Sequence, residues 1–528
     1  MAVEGRHTHW WETRGFAALL VLISIVPLLW PTVPPLVDLP GHMGRYHVEL
    51  DGGHTASLAQ FFDFHWSLIG NLGIDLLVIP MAKLFGLELA TKLIVMTIPA
   101  LTVAGLIWIC REVNREVQPT ALFALALAYG HPFHFGFVNF ALAMALALMA
   151  FALWLRLARL NRLRLRAALF LIIGPVIWIT HTYGWGMLGV AAFSAELIRQ
   201  HDKSLAEGEG NWPRSIFWAG IHCICLAPPL LLMVLWRSGK HVGGETGDWF
   251  NMQAKLMWFN MTLRDRWHWF DAASLAVLML VLFAALRDRR LEFSRNLAAT
   301  AIFLLIVFLC LPRIVFGSAY ADMRLTPYIL AIALISIRSK PGTSMRFAGR
   351  VAAAGLAFYV IRIAATTASF VLFSQGVERA AGALDHLPRG ARVVSFVGAP
   401  CGMTWSTARL EHVPALGIVR RDAFSNDQWN MAGGQLLRAH IARRRWFNSD
   451  PSQIVTARAC RGEWWKSIDW SLANFPRDTF DYVWLLDPPP FNAYWTRGMT
   501  RVWQNGTNAL YRVDDRTQPR SSPAAFKS

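Results

Sequence analysis

The sequence predicts a polytopic α-helical membrane protein of about 11 spans followed by a C-terminal soluble α/β or α+β domain. Three observations predict it. Of the 528 residues, 55% are hydrophobic and only 16% are charged. The apolar runs at 16–30, 93–110, 141–155, 275–286 and 297–311 carry almost no charge, and each approaches the roughly 17–25 residues that cross a hydrocarbon core. Arginines gather in the short segments between such runs. Only helices and closed barrels satisfy their backbone in lipid, so the runs read as helices. The first run lacks a small-residue cleavage site and is followed by further spans, so it reads as an anchor rather than a signal peptide.

The formal charge is +17. Spread over a face it would suggest nucleic acid, but it sits in loops: Arg111 and Arg115; Arg156, Arg159, Arg162, Arg164 and Arg166; Arg199, Lys203 and Arg214; Arg287, Arg289, Arg290 and Arg295; Arg338, Lys340, Arg346 and Arg350. That is the positive-inside pattern, which sets orientation and excludes nucleic acid as the partner. With these loops and the N-terminus in the cytoplasm, residues 31–88, 131–137, 181–184, 237–271 and 312–324 lie outside, as does everything after about residue 374. The apolar stretch 68–85 then begins and ends outside, so it reads as an interfacial or re-entrant helix.

Residues 1–374 thus form a transmembrane domain whose first outer loop is 31–88, and 375–528 form the soluble domain. In the latter, 391–397 and 481–486 read as buried strands and 509–513 as a final one. Residues 435–445 have helical spacing, with Arg438, Arg443, Arg444 and Arg445 on one side. The tail from about 516 is polar and reads as disordered. Cys110, Cys223, Cys225 and Cys310 lie in or beside apolar runs as small hydrophobes. Cys401 and Cys460 fall in the polar region and could pair if it is exported. The 24 tryptophans suit interfacial belts, and Trp249, Trp258, Trp267 and Trp269 suit a substrate-covering loop.

Sorted by side, the unusual polar residues share the outer face. Asp38, His42 and Arg45 follow the first span; His131 and His134 flank Phe133; His181 marks a helix junction; Arg313 and Arg324 flank Asp322. A carboxylate at a membrane boundary costs solvation unless it has a partner or a task. Asp38 suits a general base, with an interfacial cap as the alternative. Arginines grip phosphate with forked hydrogen bonds, though Arg324 could instead pair with Asp322. His42 fits a ligand, a substrate contact or a loop hydrogen bond; His131, His134 and His181 fit interfacial packing better than a functional role; and Asp75 fits either function or a buried partner. No cofactor is called for. A divalent metal is left open, since Asp38, His42 and His131 could converge, but no compact ligand motif is present.

The layout, with Asp38 in the stretch Val37-Asp38-Leu39-Pro40-Gly41-His42 just after the first span, resembles the GT-C class of integral-membrane glycosyltransferases. That resemblance implies a polyprenyl-phosphate-linked sugar donor, a glycan, lipid or protein acceptor, and inverting transfer at the outer face. It implies Asp38 as the base and Arg324, with Arg45 or Arg313, on the departing phosphate. His42, His131, His134 and His181 would position substrate. Many members carry Asp-Glu where this chain has Asp38-Leu39. The implied location is the bacterial inner membrane, with the N-terminus cytoplasmic and the C-terminal domain periplasmic. The rivals are a transporter or flippase of a lipid-linked or anionic solute, which would place its polar residues near the midplane, and a non-catalytic polysaccharide-assembly subunit.

Overall fold

The computed structural model describes residues 9–238, 245–430, 434–441, 445–460 and 464–518. The chain forms two compact units. The first takes Met1–Trp30, Leu68–Leu77 and Lys92–Ser369; the second takes Pro31–Ser67, Val78–Thr91 and Phe370–Ser528.

The elements used below are α1 (Arg14–Ser24), α2 (Leu39–Asp51), α3 (Gly73–Phe85), α4 (Leu87–Asn114), α5 (Val138–Arg159), α6 (Leu163–Thr180), α7 (Thr182–Ala206), α8 (His268–Arg287), α9 (Arg295–Cys310), α10 (Thr326–Ile335) and α11 (Met345–Ala381). The strands are β1 (Val393–Gly398), β2 (Ile454–Thr456), β3 (Lys466–Ser467), β4 (Tyr482–Leu486), β5 (Met499–Asn505) and β6 (Asn508–Val513).

Among the described residues, five helices are long and apolar enough to cross a membrane, or six if the pair Trp212–Leu226 and Pro228–Trp236, bent by 60°, is one span. Three shorter apolar helices, Arg14–Leu28, Arg295–Cys310 and Met323–Ile335, accompany them. The expected eleven spans are therefore not reached by length, because several apolar runs are broken by short turns. The helix α3 has 13 residues with Pro80 inside; at 1.5 Å per residue it is too short to cross a core about 30 Å thick.

In the first unit α5 is the buried helix: 83% of its apolar window lies inside the structure, against 33% for α6 and 28% for α8. Its sequence explains this. Alanines at 141, 143, 145, 147, 150 and 152 present little side chain, so neighbouring backbones come close, as small residues allow in lipid. Gly184 of α7 is held so near that a Cβ there would stand 2.6 Å from the Ala143 Cβ, and one at Gly105 of α4 would meet the Leu148 Cβ at 2.8 Å. By contrast Leu171, Ile172 and Val176 on α6, and Leu280, Phe283 and Leu286 on α8, are exposed. A band of exposed aliphatic side chains on long helices is a lipid-facing surface. Charge inside this unit is paired: Arg166 with Glu196 at 3.0 Å, Lys255 with Asp322 at 3.1 Å, and Arg362 with Asp271 at 2.7 Å.

The second unit is built on a six-stranded sheet of order β3-β2-β1-β4-β6-β5. β1 to β4 run parallel and β6 and β5 complete it antiparallel, so the domain is a mixed α/β sheet, as its strand–helix alternation suggests. The three expected strands appear as β1, β4 and β6. The expected helix over 435–445 does not: Leu437–Ala439 is a strand, paired antiparallel with Phe62–Phe64. Leu437 and Ala439 are buried and Arg438 between them is exposed, a two-residue period that outweighs the helical spacing of the arginines. Arg443 and Arg444 lie outside the described residues, as do the tail residues 519–528. Residues 516–518 are held to the domain, Arg516 donating to the Phe480 carbonyl at 2.8 Å and Gln518 to that of Ala473 at 2.6 Å. Cys401 and Cys460 form a disulfide with Cα atoms 5.5 Å apart.

The first outer loop supplies part of this core. Val48, Leu58, Phe61 and Phe62 are buried with Phe396, Phe424, Phe475 and Phe480. Burying large aliphatic and aromatic side chains contributes about 1.5–3 kcal/mol each, so this loop is folded into the domain rather than tethered beside it.

Candidate functional site

Asp38 stands at the N-cap position of α2, whose second residue is Pro40. Proline fits there because the first turn needs no donor from it. The helix ends at Gly52 in the left-handed region, φ 60°, as glycine permits. The Asp38 carboxylate does not cap the helix, and its residue is 8% exposed. His42 and Arg45 follow at i+4 and i+7, one face of the same helix.

That face meets a cluster the sequence did not reveal. The His412 ring lies with Nε2 3.4 Å from Asp450 Oδ1 and 4.0 Å from Asp38 Oδ1, and with Nδ1 3.5 Å from Asp427 Oδ2. Its backbone N–H donates to Gln453 Oε1 at 3.1 Å. Gln453 Nε2 in turn donates to Asp450 Oδ1 at 2.7 Å. Burial works against charge on His412, but the hydrogen bond to Asp427 and the charges of Asp450, Asp38 and Asp427 outweigh it and lift its pKa to about 9. It is a cation at neutral pH. Burial also holds the Asp450 carboxyl above its ordinary value, opposed by His412.

The backbone around the ring is committed. His412 has φ 61°, a left-handed conformation that costs a non-glycine residue about 1–2 kcal/mol. Trp429 closes the cluster, its ring 4.2 Å from that of His412 and 5.0 Å from that of His42. The two glycines of α2 admit these groups: a Cβ at Gly41 would stand 2.7 Å from Trp429 Cη2, and one at Gly44 would stand 3.0 Å from Gln428 Nε2. Gln428 Nε2 donates to the Gly41 carbonyl at 3.2 Å. Arg45 donates to Gln435 Oε1 at 3.2 Å and lies 5.1 Å from the Tyr46 ring centroid.

Of the predicted residues, Asp38, His42 and Arg45 thus share one helix and one cluster. The others belong to the first unit and fall into two groups there. His131 Nε2 is 3.4 Å from an Arg264 guanidinium nitrogen, and His134 Nδ1 is 3.8 Å from Asp265 Oδ1. The backbone N–H of Asp265 donates to Asp271 at 2.9 Å, which also holds Arg362. Arg324 is caged by aromatic rings, 4.2 Å from Phe137, 5.6 Å from Phe140 and 5.5 Å from Tyr183, and donates to the Ser318 hydroxyl at 3.3 Å. His181 packs edge-on to Phe140 and accepts from the Tyr183 N–H at 3.1 Å.

Asp322 pairs with Lys255, and Arg313 is ion-paired through Nε with Asp248. Asp75 is buried, and Asn139 donates to it at 2.8 Å. Trp258 is buried while Trp249 and Trp269 are exposed, so these tryptophans do not form one covering face. Among the described residues no three His, Cys, Asp or Glu side chains are arranged to hold a metal ion.

His412, Asp427, Asp450 and Trp429 were missed. Their one signal is the dense polar string Ser425-Asn426-Asp427-Gln428-Trp429-Asn430, of which 425–428 are buried.

No protein-family model matches the chain, and no curated protein sequence does. Two solved structures are similar to it. One is the crystal structure of ArnT from Cupriavidus metallidurans bound to undecaprenyl phosphate, with 13% identity, 96% of this chain and 99% of that one covered, and a TM-score of 0.49. The other is the same protein in the apo state, with 12% identity, 94% and 97% covered, and a TM-score of 0.46. Identity this low and TM-scores under 0.5 say nothing of reaction or ligand.

Proposed function

We propose that the chain is an integral-membrane glycosyltransferase of the GT-C kind. It moves a sugar from a polyprenyl-phosphate donor to an acceptor hydroxyl at the outer face, with Asp38 as general base. The observation that carries this reading is the fixed placement of Asp38 beside His412, Asp427 and Asp450 on a helix that also bears His42 and Arg45.

Three carboxyl groups around one imidazole make the cluster rich in hydrogen-bond acceptors. It favours a hydroxyl-bearing or cationic group. An acceptor hydroxyl donates its hydrogen bond to Asp38; as its oxygen bonds to the anomeric carbon, the proton passes to the carboxylate. The sugar–phosphate bond breaks on the opposite side and the phosphate leaves with the electron pair, inverting that carbon. Charge growing on the phosphate needs a donor. Arg45 is the arginine on the Asp38 helix, and this reading assigns it to phosphate.

The Cys401–Cys460 disulfide supports a periplasmic second unit, because disulfides persist in oxidising compartments. The test is Asp38→Asn, purified at wild-type yield and assayed with a polyprenyl-phosphate sugar. Transfer falls about 10²–10⁴-fold, the usual worth of a positioned base. Undiminished transfer sinks the proposal. Movement of labelled lipid across a liposome without any transfer product would favour the flippase.

A further inference from the structure

The first unit holds a cavity of about 380 Å³ that the transfer reading does not use. Five guanidinium groups line it: Arg115, Arg159, Arg199, Arg295 and Arg338. The carboxylates in the same wall are three, Glu112, Glu196 and Asp202. Each is already engaged. Glu112 holds Arg159 at 2.7 Å and Arg156 at 3.7 Å; Glu196 holds Arg166 at 3.0 Å and also Arg199; Asp202 holds Arg295. Arg338 pairs at 2.8 Å with Glu292, which is outside the wall. The Arg115 side chain, just past the end of α4, has no hydrogen bond or ion pair among the described residues.

Two further features point the same way. Ser294, Arg295 and Asn296 belong to the wall and open α9, a helix of 16 residues whose N-cap Ser294 gives no side-chain cap bond. Its first N–H groups carry part of the positive end of the helix dipole. The Asn296 side-chain oxygen is buried and accepts from nothing in the structure; with its amide turned into the cavity it would accept from a ligand hydroxyl there.

We propose that this cavity binds a phosphate group with a neighbouring hydroxyl, carried by a phospholipid headgroup or by a small soluble phosphate. Excess guanidinium charge, forked donors and an uncapped helix start are what phosphate recognition requires. The lining comes from the basic segments between spans, where an anionic headgroup at the membrane surface is also found.

The experiment uses the full chain in a neutral detergent. Native mass spectrometry with added phosphatidylglycerol or phosphatidylcholine reads lipid retention, and calorimetry with inorganic phosphate or glycerol phosphate reads soluble ligands. Retention of phosphatidylglycerol over phosphatidylcholine, unmoved by glycerol phosphate, assigns the lipid; saturable heat from the soluble phosphates assigns those. In either case Arg115→Gln with Arg338→Gln weakens binding about tenfold, the loss expected for two charge-assisted contacts. Asn296→Phe, which fills the cavity and removes no charge, weakens it as much. Arg115 is exposed, so the single Arg115→Gln variant reports on binding even if the double variant is unstable. Equal binding by all variants, or no preference for any phosphate by the wild type, overturns the proposal.

Discussion

Replacing His412 with Gln removes the imidazolium from between the buried Asp38 and Asp427 and the half-buried Asp450, and changes how stability depends on pH. The folded pKa of His412 is about 9, against about 6.5 for a free imidazole; at 1.36 kcal/mol per pH unit this corresponds to about 3 kcal/mol. The pKa is raised in the folded state, so this stabilisation is fully present below about pH 6.5 and is lost as pH rises through about 9. For a domain of 150–250 residues about 3 kcal/mol corresponds to roughly 6–12 °C. The assay is the thermal midpoint of the detergent-solubilised protein at fixed scan rate between pH 6.5 and 9.5. The wild type loses that increment over the window. His412→Gln starts lower, because it strands buried carboxylates at a cost of about 3–5 kcal/mol, and its midpoint is flat with pH. A variant that keeps the wild-type slope refutes the assignment of the charge to His412.

Three further outcomes follow from packing and covalent structure. Removing the Cys401–Cys460 disulfide with Cys401→Ser and Cys460→Ser frees a 59-residue separation and lowers stability by about 4 kcal/mol on the chain-entropy model; reductant should lower the wild-type midpoint and leave the double variant unmoved. Gly184→Ala places a methyl 2.6 Å from the Ala143 carbonyl oxygen, and prising α7 from α5 costs about 1–3 kcal/mol, read as earlier aggregation on heating in detergent. Gly41→Ala drives a Cβ toward Trp429 and His412, so it should lower transfer while leaving far-ultraviolet circular dichroism unchanged.

The helical membrane class was legible because lipid imposes long apolar runs, whereas polar surroundings made Cys401 and Cys460 candidates without deciding that they pair. The span count was not legible. Apolarity does not show where a run breaks, and Gly86 and the turn before Pro228 break helices within apolar stretches. The site was half legible. Asp38, His42 and Arg45 lie within a turn or two of each other, so helical period alone aligned them. His412, Asp427 and Asp450 reach the cluster through strand pairing and a left-handed backbone at 412, which no local pattern encodes. The helix expected over 435–445 failed because tertiary pairing with Phe62–Phe64 rewarded the alternation of Leu437 and Ala439 over the spacing of the arginines.

The cavity around Arg115 also bears on which ends of the helices lie together, without using charge. Arg115 follows α4, Arg159 ends α5, Arg199 lies near the end of α7, Arg295 begins α9 and Arg338 follows α10. All five line one space, so each intervening stretch must leave that end of the unit and return to it. Between Arg159 and Arg199 the return is made by α6 and α7. Between Arg295 and Arg338 it is made by α9 and α10, both shorter than an ordinary span. The positive-inside rule predicts that this end faces the cytoplasm. A single cysteine at Arg162→Cys, in the turn between α5 and α6, and another at Arg289→Cys, between α8 and α9, should react with an impermeant maleimide from the same side. In intact cells both should stay unlabelled until the membrane is opened. Labelling of both from outside would invert the orientation and keep these ends together. Labelling of one from each side would show that the five arginines do not share a cavity, and would remove the phosphate site with it.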